Sequence, residues 1–95
     1  MGRIEIQWTD TDPETGQKRF LCAERFAGRW SFRFKFQRRG EWTRGLRPTR
    51  AIWEVVLDGL ERRYRRREGV SDEDVLQVKR ILAEFREPPD ARAGE

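Results

Sequence analysis

The side chains able to do chemistry in this 95-residue chain are carboxylates, guanidinium groups and aromatic rings, because histidine is absent. Without an imidazole there is no His-liganded metal and no Ser/His or Cys/His nucleophilic pair. Asp10, Asp12 and Glu14 alternate as calcium-loop ligands do. The glycine, however, comes one position late at Gly16, and Leu21 stands where a bidentate acid should close the loop. A solvated hairpin turn accounts for these acids better. Glu54, Asp58 and Glu61 share a helical face that suits a divalent ion, yet Arg62 and Arg65 at helical spacing make surface ion pairs the simpler account. Cys22 is the single cysteine, so no internal disulfide forms, and its alternation with Phe20 reads as a small core side chain. No glycine-rich phosphate loop is present. Neither a catalytic constellation nor a cofactor site assembles from these residues, and a non-enzymatic binding module is expected.

The charge distribution carries more information. The net charge is +4, but residues 1–24 hold three basic and five acidic side chains, whereas residues 25–50 hold nine basic ones against the single acid Glu41. Residues 51–69 are nearly balanced, and residues 70–95 carry four bases against seven acids. A balance of +8 within one short segment, between acidic flanks, is the footprint of a surface that meets a polyanion. Arg supplies 18 of the 21 basic side chains. A GC-rich coding background produces such a bias, but it does not produce the clustering.

These residues need elements to hold them. Ile4, Ile6 and Trp8 alternate with polar neighbours over 3–9, which predicts a strand. Asp10 to Gln17 is a turn built on Pro13 and Gly16. Strands follow at 18–26 and 30–38, the second with Trp30, Phe32, Phe34 and Phe36 alternating against Ser31, Arg33, Lys35 and Gln37. A three-residue loop, Ala27-Gly28-Arg29, pairs Phe26 with Trp30, Glu24 with Phe32, Cys22 with Phe34 and Phe20 with Phe36. That register gathers the aromatics on one face and Arg19, Arg25, Arg33 and Lys35 on the other. A two-residue loop mixes the faces and is disfavoured. Residues 42–47 form a weak fourth strand at an edge, because of Gly45 and Pro48. From Thr49, a capping residue, the period becomes helical: Ile52, Val56, Leu60 and Tyr64 form a stripe that ends near Gly69. Ser71 caps a second helix bearing Val75, Val78, Leu82 and Phe85, stopped by Pro88-Pro89.

The expected fold is therefore α+β: an antiparallel meander of three to four strands, then two C-terminal helices packed on one sheet face. One domain spans 1–87, and 88–95 form a disordered tail. The aromatic row is core beneath the helices. The opposite face is a basic sheet surface whose expected nucleic-acid contacts are Arg19, Arg25, Arg29, Arg33, Lys35, Arg38, Arg39, Trp42, Arg44 and Arg47. Trp42 is the leading base-stacking residue, with Trp8 and Trp53 behind it. Guanidinium groups pair with phosphates, and an open basic sheet suits a single strand better than a duplex. The run Arg62 to Arg67 is a competing site with a local reason to be basic, since the helix dipole favours cations at a C-terminus.

Two short stretches resemble a known superfamily. Gln17-Lys18-Arg19-Phe20, leading into a strand, resembles the opening of a Pur-alpha repeat. Arg44-Gly45-Leu46, followed by Trp53 in an amphipathic helix, is similar to the strand and helix of the positive-cofactor-four coactivators. With the order of elements, residues 17–66 resemble the single-stranded nucleic-acid-binding regulators, to which the Whirly proteins also belong. The resemblance implies single-stranded DNA or RNA as ligand, a homodimer or paired repeats, and Arg19, Arg33 and Lys35 as contacts. Pro48 and the helix at 71–86 depart from the family pattern. No apolar run approaches the roughly 18 residues of a membrane span, and residues 1–5 lack a signal-peptide core, so a cytoplasmic setting without a membrane partner is expected. A protein-interaction or assembly module is the alternative function.

Overall fold

The computed structural model describes residues 3–86. Four strands form one antiparallel sheet in the order β1 (Ile4–Thr11), β2 (Lys18–Phe26), β3 (Arg29–Lys35) and β4 (Thr43–Arg44), and two helices follow, α1 (Arg50–Arg65) and α2 (Asp72–Glu84). This is the α+β order expected. By its contacts the chain divides into two compact units, Met1–Arg47 carrying the sheet and Pro48–Glu95 carrying the helices. The Pro88-Pro89 stop and the tail at 88–95 lie outside the described residues. No helix among the described residues is long and apolar enough to cross a membrane.

The register between β2 and β3 differs from the expected one by a single residue, and that residue reassigns a whole strand. Phe26 pairs with Arg29, Ala23 with Phe32, Cys22 with Arg33 and Phe20 with Lys35. The connection is thus the two-residue turn Ala27-Gly28, with φ of 55° and 78°. Two consecutive left-handed residues make the mirror-image turn whose twist matches that of the flanking strands. Its usual sequence signal is Asn-Gly or Asp-Gly, of which Gly28 supplies only half, with Ala27 in place of the Asn or Asp.

Shifting a strand by one residue exchanges its two faces. Leu21 and Ala23, not Phe20 and Cys22, accompany Phe32 and Phe34, and opposite them on β1 stand Trp8 and Ile6. Ile4, Ile6, Leu21, Ala23 and Phe32 are buried on this face, and Trp30 stacks against Phe32 at 6.4 Å between centroids. Two arginines expected on the basic face, Arg19 and Arg25, belong to this apolar side, opposite Asp10 and Ile4. Phe20, Cys22, Glu24 and Phe26 move to the polar side. β4 is shorter than expected: only Thr43 and Arg44 pair with β3, and the Leu46 N–H adds a bond to the Phe32 carbonyl at 3.2 Å.

In the helical unit the caps form where they are expected. The Thr49 hydroxyl accepts from the Ile52 N–H, and Ser71 and Asp74 make a reciprocal capping box at 2.9 and 3.3 Å. Ile52, Trp53, Val56 and Leu60 of α1, with Val75 and Val78 of α2, are buried. Helix α1 ends four residues before Gly69. The Glu68 N–H reaches back to the Arg63 carbonyl (2.9 Å) and the Arg67 N–H to that of Tyr64 (3.1 Å), the two bonds of a Schellman termination. The left-handed position there is Arg67, with φ of 59°, where glycine is the usual occupant. Arg67→Gly is therefore expected to stabilise the protein by about 0.5–1 kcal/mol. Urea denaturation resolves such a gain as a higher midpoint at unchanged slope. An equal or lower midpoint would mean that the Arg67 side chain offsets its backbone cost.

Candidate nucleic-acid interface

The polar face of the sheet can be read row by row from the register. One row across β1, β2 and β3 is Thr9, Phe20, Lys35; the next is Gln7, Cys22, Arg33, continued by Arg44 on β4. Residues opposite one another share a face, so these side chains project together. Cys22, fully buried, is the small residue over which the larger ones close, and burial pushes its thiol pKa up.

Arg33 is the clamp of this face. Its Nη atoms donate to Glu24 Oε1 at 2.8 Å and to Glu5 Oε2 at 3.0 Å, tying β3 to both β2 and β1, while Arg3 reaches Glu24 from the far side at 3.1 Å. Burial works against the charge on Arg33, but the hydrogen bonds donated to Glu24 and Glu5 outweigh it and its pKa rises. The hydrogen bond from Arg33 holds the Glu24 carboxyl below its usual range. Arg33 is thereby committed to two carboxylates and has little charge to offer a phosphate.

Arg19 is committed as well, on the other face. It lies on Asp10 through a two-pronged contact, Nε to Oδ1 at 3.0 Å and Nη2 to Oδ2 at 2.9 Å, with Asp12 at 3.5 Å. The hydrogen bond to Asp10 raises the Arg19 pKa against the opposing effect of burial. Asp12 in turn organises the β1–β2 turn, accepting from the Glu14 N–H at 3.3 Å and the Thr15 hydroxyl at 3.0 Å. The calcium-like spacing of Asp10 and Asp12 thus holds a guanidinium.

The uncommitted cations gather elsewhere. Lys35 Nζ lies 4.4 Å from the centroid of the Trp42 ring, with the Arg33 guanidinium at 5.0 Å from the same ring. Lys18 and Arg38 lie over Phe20 at 5.4 and 5.6 Å. Lys18, Phe20, Lys35, Arg38 and Trp42, with Gln7, Trp8, Thr9 and Leu21 of β1 and β2 but without Arg33, line a shallow depression of about 370 Å³. None of the described residues lining it is acidic. Cations this close to the rings are attracted by the ring quadrupole, and aromatic rings set beside cations are the combination that meets bases and phosphates together.

Of the ten residues expected here, the structure brings Lys35, Arg38 and Trp42 into the depression and sets Arg33 and Arg44 in the adjoining row. Arg29 opens β3 beside the exposed Phe26, and Arg39 lies in the exposed turn at 37–40. Arg47 is exposed at the end of the sheet unit. Arg19 and Arg25 are on the apolar face. Of the other stacking candidates, Trp53 is buried in α1, and Trp8 borders the depression although its register puts it on the side of Ile4 and Ile6; Trp42 is the candidate with cations over its ring. Lys18, Phe20, Gln7 and Thr9 were not expected at the site. Lys18 and Phe20 carried a signal, being a basic-aromatic pair two residues apart in a strand, but the register assumed put Phe20 in the core.

The competing run at the end of α1 splits up. Arg62 pairs with Asp58 at 3.1 Å, Glu61 reaches Lys79 of α2 at 3.7 Å, and Arg65 and Arg67 line a separate cavity of about 570 Å³ with Tyr64, Val70 and Ser71. No family model, no curated protein and no solved structure matches the chain. Its function is therefore read from the chemistry of the face itself.

Proposed function

We propose that the sheet unit binds single-stranded nucleic acid, DNA or RNA, through its polar face and without catalysis. Phosphates meet Lys18, Lys35 and Arg38, and an unpaired base lies against Phe20 and Trp42. The observation that carries this is the convergence of three cations without a carboxylate partner on two aromatic rings in a depression with no acid among its described lining residues. Stacking supplies affinity without sequence preference, and counterion release makes it salt-dependent. The resemblance of residues 17–66 to the single-stranded nucleic-acid-binding regulators supports the same ligand class and extends the proposal to a cytoplasmic homodimer.

Fluorescence anisotropy with short labelled single strands tests the proposal. At low salt the dissociation constant is expected at about 1–100 µM, with a slope of log affinity against log salt near about −2, the value for three phosphate contacts. In Lys35→Glu/Arg38→Glu the affinity falls by more than about thirtyfold and the slope flattens towards about −0.7, since one contact is left. Wild-type binding no tighter than that of the reversed protein would overturn it. One observation favours the protein-interaction reading instead: Phe26 is 66% exposed at the hairpin tip. Light scattering at low and high salt, repeated with Phe26→Ser, tests that reading, which requires an oligomer that the substitution dissolves.

A further inference from the structure

The depression has a property that a plain stacking platform does not need. On its β1 side stand Gln7 and Thr9, adjacent on one face of the strand and both exposed. Among the described residues neither the Gln7 carboxamide nor the Thr9 hydroxyl has a hydrogen-bond partner. Thr9 is directly opposite Phe20, and Phe20 is directly opposite Lys35, so hydroxyl, ring and ammonium form one row across three strands. Strands lie about 4.8 Å apart, which makes that row span about 10 Å. This is the reach of one nucleotide from base edge to phosphate. A volume of about 370 Å³ sits at the small end of ligand pockets and leaves room for one such unit, not for a run of stacked bases.

We infer that the depression is a one-nucleotide pocket that reads the edge of the base it holds. The base lies against Phe20 and Trp42, its phosphate meets Lys35 and Arg38, and its edge meets Gln7 and Thr9. A carboxamide carries a donor and an acceptor side by side and so pairs with the adjacent donor and acceptor of a base edge, best documented for adenine. A site that hydrogen-bonds a base edge also rejects a base whose pattern mismatches, because that base would cover the exposed Gln7 and Thr9 polar groups without pairing them. The inference rests on the proposed single-strand binding and adds selectivity at one position. The ligand chemistry, a nucleoside phosphate, has two sources: a unit within a strand or a free mononucleotide.

The experiment uses the full chain and labelled homopolymer strands of A, C and T, an A strand carrying one abasic residue in a minimal-length site, and free nucleoside 5′-monophosphates as competitors. The wild type is expected to prefer one homopolymer by about tenfold and to lose that margin at the abasic position. Gln7→Ala/Thr9→Val is expected to level the homopolymers while the salt slope stays unchanged, since no phosphate contact is touched. Both positions are exposed, and a thermal melt confirms that the variant folds. Displacement by mononucleotides assigns the pocket to free nucleotides, and base preference without displacement assigns it to a strand; either supports the pocket. Binding with equal affinity for all homopolymers, or a preference that survives the double substitution, overturns the inference while leaving single-strand binding intact. Absence of binding to every strand overturns the proposed function itself.

Discussion

Arg19→Ala is expected to destabilise the protein by roughly 3 kcal/mol, because it removes one partner from a largely buried ion cluster and strands the others. Asp12 is nearly as enclosed as Arg19 and shapes the turn at 12–17 through the Glu14 N–H and the Thr15 hydroxyl. Without the guanidinium, its carboxylate remains partly desolvated with no cation opposite. The Arg19 guanidinium carbon also lies over the Phe34 ring, 5.8 Å from its centroid. In a domain of this size a loss of that order lowers Tm by more than about 10 °C. Calorimetry measures it. At temperatures where the variant is folded, its affinity for a single strand should equal that of the wild type, since Arg19 faces away from Lys35. A stable Arg19→Ala protein with weakened binding would reverse the assignment of faces.

The second large effect concerns Arg33. Arg33→Met keeps the bulk of the side chain but removes both charged hydrogen bonds to Glu24 and Glu5. About 2 kcal/mol is expected, less than for Arg19. Glu24 keeps Arg3, Glu5 is partly solvated, and the Arg33 Nε is itself buried without an acceptor, so the clamp has a standing cost that methionine relieves.

The pH dependence fixes the sign of this effect. The folded-state pKa of Glu24 is depressed below its usual 4.5 by the hydrogen bond from Arg33. Its contribution is therefore complete above that value and is lost as pH falls through the depressed pKa. The stability gap between wild type and Arg33→Met should be widest near neutrality and should narrow steadily below pH 4.5. Urea unfolding at several pH values checks this. A gap independent of pH would show that Arg33 stabilises by packing alone.

Both predictions concern arginines that looked like ligand contacts in the sequence. A guanidinium's charge is visible in a sequence, but whether a carboxylate consumes it depends on which residues lie opposite, and that is set by pairing at a distance. Asp10 faces Arg19 from nine residues away, and Glu5 faces Arg33 from 28. The unmatched cations at the depression are those that make no ion pair with an acid among the described residues. Lys18 and Lys35 are among them, two of the three lysines in an arginine-rich chain.

By itself the sequence determined everything governed by near neighbours. The strand at 18–26, the helix from Thr49, the Ser71–Asp74 capping box and the concentration of charge in 25–50 all follow from periodicity and caps within a few residues. The apolar row of Trp30, Phe32 and Phe34 was legible for the same reason, since alternation along one strand assigns its residues to common faces. Only the tertiary structure decided how β2 registers against β3. Side-chain parity in a sheet has a period of two, so a one-residue difference in the Ala27-Gly28 turn exchanges Phe20 with Leu21 and Cys22 with Ala23 on the apolar face. That choice turned Arg19 and Arg25 towards the core side and brought Phe20 out beside Lys18, Lys35 and Arg38. Local composition counts charges, whereas the pairing of strands determines which of them remain available.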